Sequence, residues 1–183
     1  MKLAMFDMDG TLFDTNEVNF QAYKEALSTE GVALDRDFYV NHCNGRHYSV
    51  FLPAMLNDNA KTIERVHNLK KSAYFRYLDK TRVNVALFDI IRAIKGEYKI
   101  ALVTTASKKN TMEILEFTKT TNLFDLILTH DDITKPKPDP QGFFRAMEFF
   151  SATAQESIIF EDSDVGIVAA EKTGATVVKI QSF

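Results

Sequence analysis

The length, composition and charge of the chain exclude several classes of protein. Its 183 residues suffice for one ordinary domain with a small insertion, and the 45% of hydrophobic residues, including 15 Phe, can bury a substantial core. A formal net charge of -3 without a long Lys/Arg run gives no electrostatic footprint for nucleic acid. No segment approaches the ~20 apolar residues of a membrane span. We therefore expect neither a nucleic-acid-binding nor a membrane protein.

The cysteine content and the first residues favour the cytoplasm. The single cysteine, Cys43, rules out an intrachain disulfide and fits a reducing compartment. The start "MKLAMFDMDG" has a Lys and apolar residues, but Asp7 and Asp9 interrupt the apolar region too early for a secretion signal. The sequence thus predicts a soluble cytoplasmic protein.

Short apolar segments typical of buried strands recur along the chain. They are "KLAMF" at 2–6, "KIALVT" at 99–104, "LFDLILT" at 123–129, "SIIF" at 157–160 and "TVVKI" at 176–180. Each is short, rich in β-branched or aromatic residues and bounded by turn formers.

Helical patterns separate the later strands. They are "KNTMEILEFTKT", "DPQGFFRAMEFF" and "SDVGIVAAEKTG", and the last ends at Gly174, a natural C-cap. In the second, the four phenylalanines at 143, 144, 149 and 150 suggest a helix face packed on the sheet. The alternation of strand and helix predicts an α/β fold with a Rossmann-like, doubly wound parallel sheet.

The first strand is followed by an insertion. About ninety residues separate it from the second strand, far more than a crossover needs. Helical patterns fill that segment: "NEVNFQAYKEALSTEG", a stretch near "DRDFYVNHC" and "AKTIERVHNLKKSAYFRYLDK". "VALFDIIRAIKGEY" then leads into the second strand. We predict a helical subdomain at 15–81 inserted into a core made of 1–14 and 82–183.

Polar side chains follow the apolar segments where the predicted strands end. They are Asp7 and Asp9, Thr104 and Thr105, His130, Asp131, Asp132 and Lys135, and finally Glu161 and Asp162. Ligands of open α/β sheets bind beyond the carboxyl ends of the strands, so we expect these residues to share one crevice. Crowded carboxylates repel and need a counter-ion, and hard oxygen ligands favour Mg²⁺.

The stretch "FDMDGTLFDT" predicts covalent chemistry. Residues two apart on a strand point the same way, so Asp7 can attack a substrate while Asp9 exchanges a proton with it. Mg²⁺ and Lys135 would neutralise a phosphoryl group enough for a carboxylate to approach. Aspartyl phosphate is an established type of covalent intermediate.

Four motifs in order resemble those of the haloacid dehalogenase-like superfamily, over essentially the whole chain. "DMDGTLFDT" implies Asp7 as nucleophile and Asp9 as general acid/base, with Thr11 beside the substrate. "LVTTAS" implies that Thr104, with Thr105 next to it, binds the phosphoryl group.

The third and fourth motifs complete the resemblance. "KPKPDP" implies Lys135, although Lys137 competes for the role because "TKP" departs from the usual "GKP". "IIFEDSDVGIVAA" implies a metal site of Asp162 and Glu161 together with the two aspartates of the first motif. Whether Glu161 binds the metal directly or through water is left open. Asp164 or Ser163 is expected to cap the helix that follows.

The inserted segment resembles the helical cap of the β-phosphoglucomutase and phosphoglycolate phosphatase branch. In that branch the cap closes over the site, and Arg46 stands roughly where a substrate-contacting cap residue occurs. Asn19 occupies a place where many members carry His, a departure from the mutases. His42, Cys43 and His47 could instead suggest a transition-metal site, but nothing fixes them on a common face.

Three functions therefore compete. The first is a Mg²⁺-dependent phosphatase of a small phosphorylated metabolite, the second a phosphoglucomutase-like isomerase, and the third a catalytically silent binding protein on the same fold. Dehalogenases and phosphonatases are disfavoured because their motifs lack an acid at the position of Asp9. The resemblance also implies a short C-terminal end after 176–180, and from this we expect self-association.

Overall fold

The structure is a computed structural model that describes residues 1–44, 46, 48–181 and 183. The chain forms two compact units, Thr15–Thr81 and the combination of Met1–Asp14 with Arg82–Phe183. The described part of the first is helical, and the second contains a five-stranded sheet. Within the described ranges, no helix has both the length and the apolar character needed to cross a membrane.

Seven strands occur among the described residues, numbered here in chain order. They are β1 (Leu3–Phe6), β2 (Phe13–Asp14), β3 (Arg82–Val83), β4 (Lys99–Val103), β5 (Leu126–Leu128), β6 (Ser157–Glu161) and β7 (Thr176–Lys179). Strands β2 and β3 form a separate antiparallel pair. The other five form one parallel sheet in the order β5-β4-β1-β6-β7.

The sheet confirms the predicted Rossmann-like α/β core, since each of the five apolar segments contributes one strand. The central strand is β1, which pairs with β4 on one side and β6 on the other. The chain therefore runs outward through β4 and β5 on one side and through β6 and β7 on the other. Such a reversal opens a crevice at the carboxyl end of the central strand, where Asp7 follows β1.

Eight α-helices occur in the described ranges. They are α1 (Asn16–Ser28), α2 (Arg36–Phe38), α3 (Tyr48–Met55), α4 (Ala60–Ala73), α5 (Val85–Ile94), α6 (Lys108–Phe117), α7 (Gln141–Phe149) and α8 (Asp164–Glu171). A π-helical turn at Tyr39–Cys43 continues α2, and a 3-10 turn at Tyr74–Lys80 continues α4. Helix α3 was not predicted; it contains Pro53, although proline is rare inside helices.

Both faces of the central strand are covered. Leu3 and Met5 of β1 belong to a buried cluster that includes Phe143 of α7 and Ala169 of α8. Alternation along a strand directs Ala4 and Phe6 to the opposite face, and these too are fully buried. Burial on both faces explains why β1 reads as a continuous apolar run.

Helix α7 and the residue after it correct the prediction that the four phenylalanines at 143, 144, 149 and 150 pack on the sheet. Phe143 is buried and Phe150 packs at the margin of the core, but Phe144 is 45% and Phe149 65% exposed. The helical period explains the difference: it brings 143, 146, 147 and 150 to one side and turns 144 and 149 away from it.

The helical unit has a hydrophobic core of its own. Its buried members are Phe20, Tyr23, Ala26, Leu27, Leu34, Tyr39, Cys43, Phe51, Leu52, Leu56 and Val66. Burial raises the pKa of the Cys43 thiol, which disfavours the thiolate that a transition metal would need. His47, another of the three candidate transition-metal ligands, lies outside the described residues.

The edge strand β7 differs from the buried strand that its sequence suggested. Three of its four residues are exposed, and among the described residues it pairs with β6 at the edge of the sheet. Val178 is among the exposed apolar side chains. The expected self-association stays a prediction.

Candidate active site

Asp7 lies directly after the central strand. Strand β1 ends at Phe6, and the Asp7 amide still donates a hydrogen bond to the Phe160 carbonyl of β6 at 3.0 Å. The side chain is buried, with 7% of the residue exposed. Asp7 and Asp9 are therefore not two successive positions of one strand face, because the strand has ended before either of them.

A tight turn follows Asp7. The amides of Leu12 and Phe13 both donate to the Met8 carbonyl at 3.0 Å, and the Gly10 amide donates to the Phe13 carbonyl at 2.7 Å. Gly10 has a φ of +89°, a region that side chains other than glycine rarely adopt. A Cβ there would lie 2.1 Å from Oδ2 of Asp162. The turn thus requires glycine and brings its backbone against Asp162.

Thr11 fixes the carboxylate of Asp162. The threonine is fully buried, and its Oγ1 donates to Oδ1 of Asp162 at 2.9 Å. The hydroxyl proton of Thr11 is thus used within the protein, and the predicted contact of Thr11 with substrate stays a prediction. Burial raises the pKa of Asp162, and the hydrogen bond from Thr11 opposes that shift.

The cation beside Asp7 is Lys137. Its Nζ lies 2.5 Å from Oδ1 of Asp7 and 2.6 Å from Oε2 of Glu161, and it also donates to the Val103 carbonyl at 3.2 Å. Only 8% of the Lys137 side chain is exposed. Lys135 is exposed instead, which corrects its predicted place at the site.

Glu161 is the support for that lysine. Its Oε2 accepts from Lys137, and its Oε1 accepts from the Asp162 amide at 3.2 Å and from the amide and hydroxyl of Ser163 at 3.0 and 2.8 Å. A Cβ on Gly166 would lie 2.0 Å from the Glu161 carboxyl carbon, so glycine makes room for this side chain. Ser163 also caps α8 by accepting from the Gly166 amide, as one of the two predicted caps.

Three carboxylates meet in this crevice. Asp7, Glu161 and Asp162 each offer an oxygen, and these oxygens lie within 4.8 Å of one another. Burial raises the pKa of Asp7 well above its usual value, and the charge of Glu161 adds to the effect while Lys137 opposes it. Burial opposes the charge of Lys137, but attraction to Asp7 and Glu161 outweighs it and raises the Lys137 pKa. One ammonium therefore leaves the cluster too negative.

The donor set fits a hard divalent cation. Asp7 and Asp162 each have one oxygen in the described hydrogen bonds, Oδ1 in both cases, whereas both oxygens of Glu161 accept from protein donors. Carboxylate oxygens are the ligands that Mg²⁺ prefers, and a cation would offset the excess negative charge of the three carboxylates. Asp7 and Asp162 are thus better suited to bind the ion directly than Glu161.

The two threonines after β4 line a cleft with the lysine. Thr104 is 2% exposed, its amide donates to the Leu128 carbonyl at 3.0 Å, and its Oγ1 accepts from the Ala106 amide at 3.0 Å. A hydroxyl that accepts one hydrogen bond can still donate its own proton. Thr104, Thr105 and Lys137 line the same small cleft.

Two further predicted residues, Asp9 and Arg46, are described by their local surroundings. Asp9 is half-buried and forms an isolated backbone bridge with Phe13, and it is not part of the group that Asp7 forms with Glu161 and Asp162. Arg46 is an exposed residue of the helical unit, and its predicted contact with substrate stays a prediction.

Comparisons with known proteins agree with this architecture. Pyrophosphatase PpaX of Bacillus cereus is 25% identical over 177 residues, which cover 93% of this chain and 78% of that protein. A phosphorylated carbohydrates phosphatase of Thermotoga maritima is 26% identical over 181 residues, covering 95% of this chain and 82% of the relative.

Solved structures share the fold across the whole chain. CbbY from Rhodobacter sphaeroides, solved in complex with phosphate, superimposes with a TM-score of 0.86 at 23% identity and covers 100% of this chain and 88% of its own. A predicted phosphoglycolate phosphatase from Haemophilus somnus gives a TM-score of 0.87 at 20% identity and covers 98% and 84%. The family model of haloacid dehalogenase-like hydrolases matches residues 4–180, and the chain therefore belongs to that family.

Proposed function

We propose that the protein is a phosphatase that hydrolyses a small phosphorylated metabolite through a phosphoryl group carried by Asp7. The observation that carries the proposal is the buried ammonium of Lys137, held 2.5 Å from Asp7 and 2.6 Å from Glu161 at the carboxyl end of the central strand. A carboxylate can attack an anionic phosphoryl group only where positive charge offsets the repulsion, and this pair provides a nucleophile with its cation in place.

The reaction has two steps. In the first, an oxygen of Asp7 forms a bond to phosphorus while the bond from phosphorus to the substrate oxygen breaks, and Asp9 gives its proton to that leaving oxygen. In the second, Asp9 takes a proton from a water molecule that attacks the same phosphorus. The bond to Asp7 then breaks, which releases inorganic phosphate and restores the carboxylate.

Two further groups bind the transferred phosphoryl group. The Thr104 hydroxyl is positioned by the Ala106 amide and donates its proton to a phosphoryl oxygen, while Lys137 supplies a full positive charge. Glu161 takes no part in bond making, and it holds Lys137 through the hydrogen bond that its Oε2 accepts at 2.6 Å. Thr105 completes the cleft that these groups line.

Asp7 and Asp162 are the residues that would hold Mg²⁺. When bound there, the ion supplies positive charge that offsets the phosphoryl oxygens and the excess of carboxylates. Thr11 and Gly10 serve this site indirectly. Thr11 fixes the orientation of the Asp162 carboxylate, and Gly10 leaves space for that side chain.

The relatives support the reaction class. Two curated proteins that match most of the chain are named as a phosphatase and a pyrophosphatase, both of which cleave bonds to phosphorus. The helical unit is proposed as the cap that selects the metabolite, with Arg46 in contact with it. A cytoplasmic location fits the single, buried Cys43.

Removal of divalent cations should stop the reaction. With a generic aryl phosphate we expect phosphate release in the presence of Mg²⁺, and a loss of about 100-fold or more with excess chelator, because a metal ion supplies several kcal/mol of charge stabilisation. Restored Mg²⁺ should restore the rate, which controls for damage by the chelator. An equal rate with and without chelator would refute the metal site.

The same assay separates the reaction from its main alternative. With phosphorylated sugars, we expect labelled phosphate to appear free in solution. Label that moves to another hydroxyl of the sugar without free phosphate would instead identify a mutase.

A further inference from the structure

The loop that carries Lys137 has little hydrogen bonding of its own. It joins the 3-10 turn His130–Asp132 to α7, and prolines at 136, 138 and 140 remove three amide donors from it. In the described part of the chain, its internal backbone hydrogen bond is from the Asp139 amide to the Pro136 carbonyl at 3.0 Å. The loop must nevertheless hold a buried ammonium between two carboxylates.

The side chain of Gln141 supplies the missing acceptor. Its Oε1 accepts from the amide of Thr134 and the amide of Lys135, both at 2.8 Å. Its Nε2 donates to Oγ1 of Thr134 at 3.0 Å. The two backbone N–H groups determine the orientation of the Gln141 side-chain amide, since only its oxygen can accept a hydrogen bond from them. One side chain thus accepts from the last two backbone amides before the first proline of the loop.

Gln141 is itself anchored to the core. It is the first residue of α7, and its backbone amide donates to Oδ1 of Asp139 in the loop at 3.0 Å. One turn later, Phe143, Ala146 and Met147 are buried in the cluster beneath the sheet. The side chain therefore joins a proline-rich segment without regular structure to a helix that is packed on the core.

We propose that Gln141 is a positioning residue that sets the place of Lys137 between Asp7 and Glu161. It touches none of these groups and acts two residues away, by fixing the backbone of Thr134 and Lys135. Its effect on turnover rests on the proposed function, because it assumes that Lys137 binds the phosphoryl group. Its effect on the position of Lys137 does not.

The test compares Gln141→Leu with Gln141→Glu and Gln155→Leu. The first removes the acceptor, the second keeps it, and the third makes the same change at an exposed glutamine of the same unit. We expect Gln141→Leu to lower kcat for an aryl phosphate about 10-fold or more, a change within the range of a displaced phosphoryl-binding group. Gln141→Glu and Gln155→Leu should stay within about threefold of the unchanged protein.

A crystal structure of Gln141→Leu gives a readout that does not depend on activity. We expect Lys137 Nζ to lose hydrogen-bonding distance to Asp7 or Glu161, with a thermal midpoint within about 4 °C of the unchanged protein. If Gln141→Leu does not fold, Gln141→Asn, which has the same amide on a shorter side chain, takes its place.

Lys137 in its original place in the Gln141→Leu structure overturns the proposal. If Lys137 moves while kcat stays within about threefold of the unchanged protein, Gln141 does position Lys137 and the proposed role of Lys137 in turnover fails instead. If the unchanged protein hydrolyses no phosphate ester at all, the proposed function fails, and the position of Lys137 alone then decides whether Gln141 positions it.

Discussion

Replacement of Asp7 by Asn should lower kcat about 10⁴-fold or more, the size of effect seen when a covalent nucleophile is removed. An amide has the shape of the carboxylate but cannot form the bond to phosphorus, and it also weakens the metal site. The measurement is phosphate release from an aryl phosphate at saturating Mg²⁺. Asp89→Asn, at a carboxylate that is 68% exposed and pairs with Arg92, is the matched control and should leave kcat unchanged.

The same variant should fold without metal. Burial and the charge of Glu161 raise the pKa of Asp7 in the folded protein. At a pH above the usual pKa of an aspartate, the ionised Asp7 carboxylate therefore lowers the free energy of unfolding. Asn removes that charge, and chemical denaturation of the metal-free protein should therefore show no loss of stability. A variant that keeps full activity would end the proposal that Asp7 is the nucleophile.

The second large effect separates the two lysines of "KPKP". Lys137→Met should lower kcat about 10³-fold, because it removes the charge beside Asp7 and leaves Glu161 buried without its cation. Lys135→Met should change kcat by less than about threefold, since that side chain is exposed and only its backbone amide takes part, through Gln141. Both are measured as kcat and KM with the same aryl phosphate.

The two variants control for each other, because each replaces a lysine before a proline by a residue of similar length. The reverse order, with Lys135→Met inactive and Lys137→Met active, would contradict the site as described. Equal losses would show that the loop as a whole matters and that the individual ammonium does not.

The sequence predicted the sheet well because its signals are local. Each strand is a short apolar run, and alternation with helices is compatible with few topologies. Polar residues at the ends of β1 and β6 then had to meet, since parallel neighbours end at the same edge. Asp7, Glu161 and Asp162 were predictable in this way, although the sequence did not show that Glu161 spends both oxygens on protein donors.

The choice between Lys135 and Lys137 depended on tertiary structure. Each of the two lysines precedes a proline, and they are only two residues apart. Nothing in the sequence fixes where the loop meets the sheet. Helix α7 decides which lysine reaches Asp7. Its buried Phe143 fixes the helix, and its first residue, Gln141, fixes the backbone of the loop. A search for a side-chain acceptor near a proline-rich loop could have pointed to Gln141.

Side-chain exposure and the partners of side-chain hydrogen bonds could not be predicted from the sequence either. Thr11 lies in the first motif, and its hydroxyl faces Asp162 because the Gly10 turn brings these residues together across 151 positions of the chain. The same limit applies to the phenylalanines of α7, where composition indicates a core helix but only the helical phase decides that Phe144 and Phe149 are exposed.

The most direct test is a rapid acid quench with a substrate that carries a ³²P-labelled phosphoryl group. We expect label on the protein during turnover, confined to the tryptic peptide 3–24 that contains Asp7, released by hydroxylamine and absent in Asp7→Asn. Free phosphate that accumulates while the protein never carries label, in the first turnover or at steady state, would contradict transfer through Asp7.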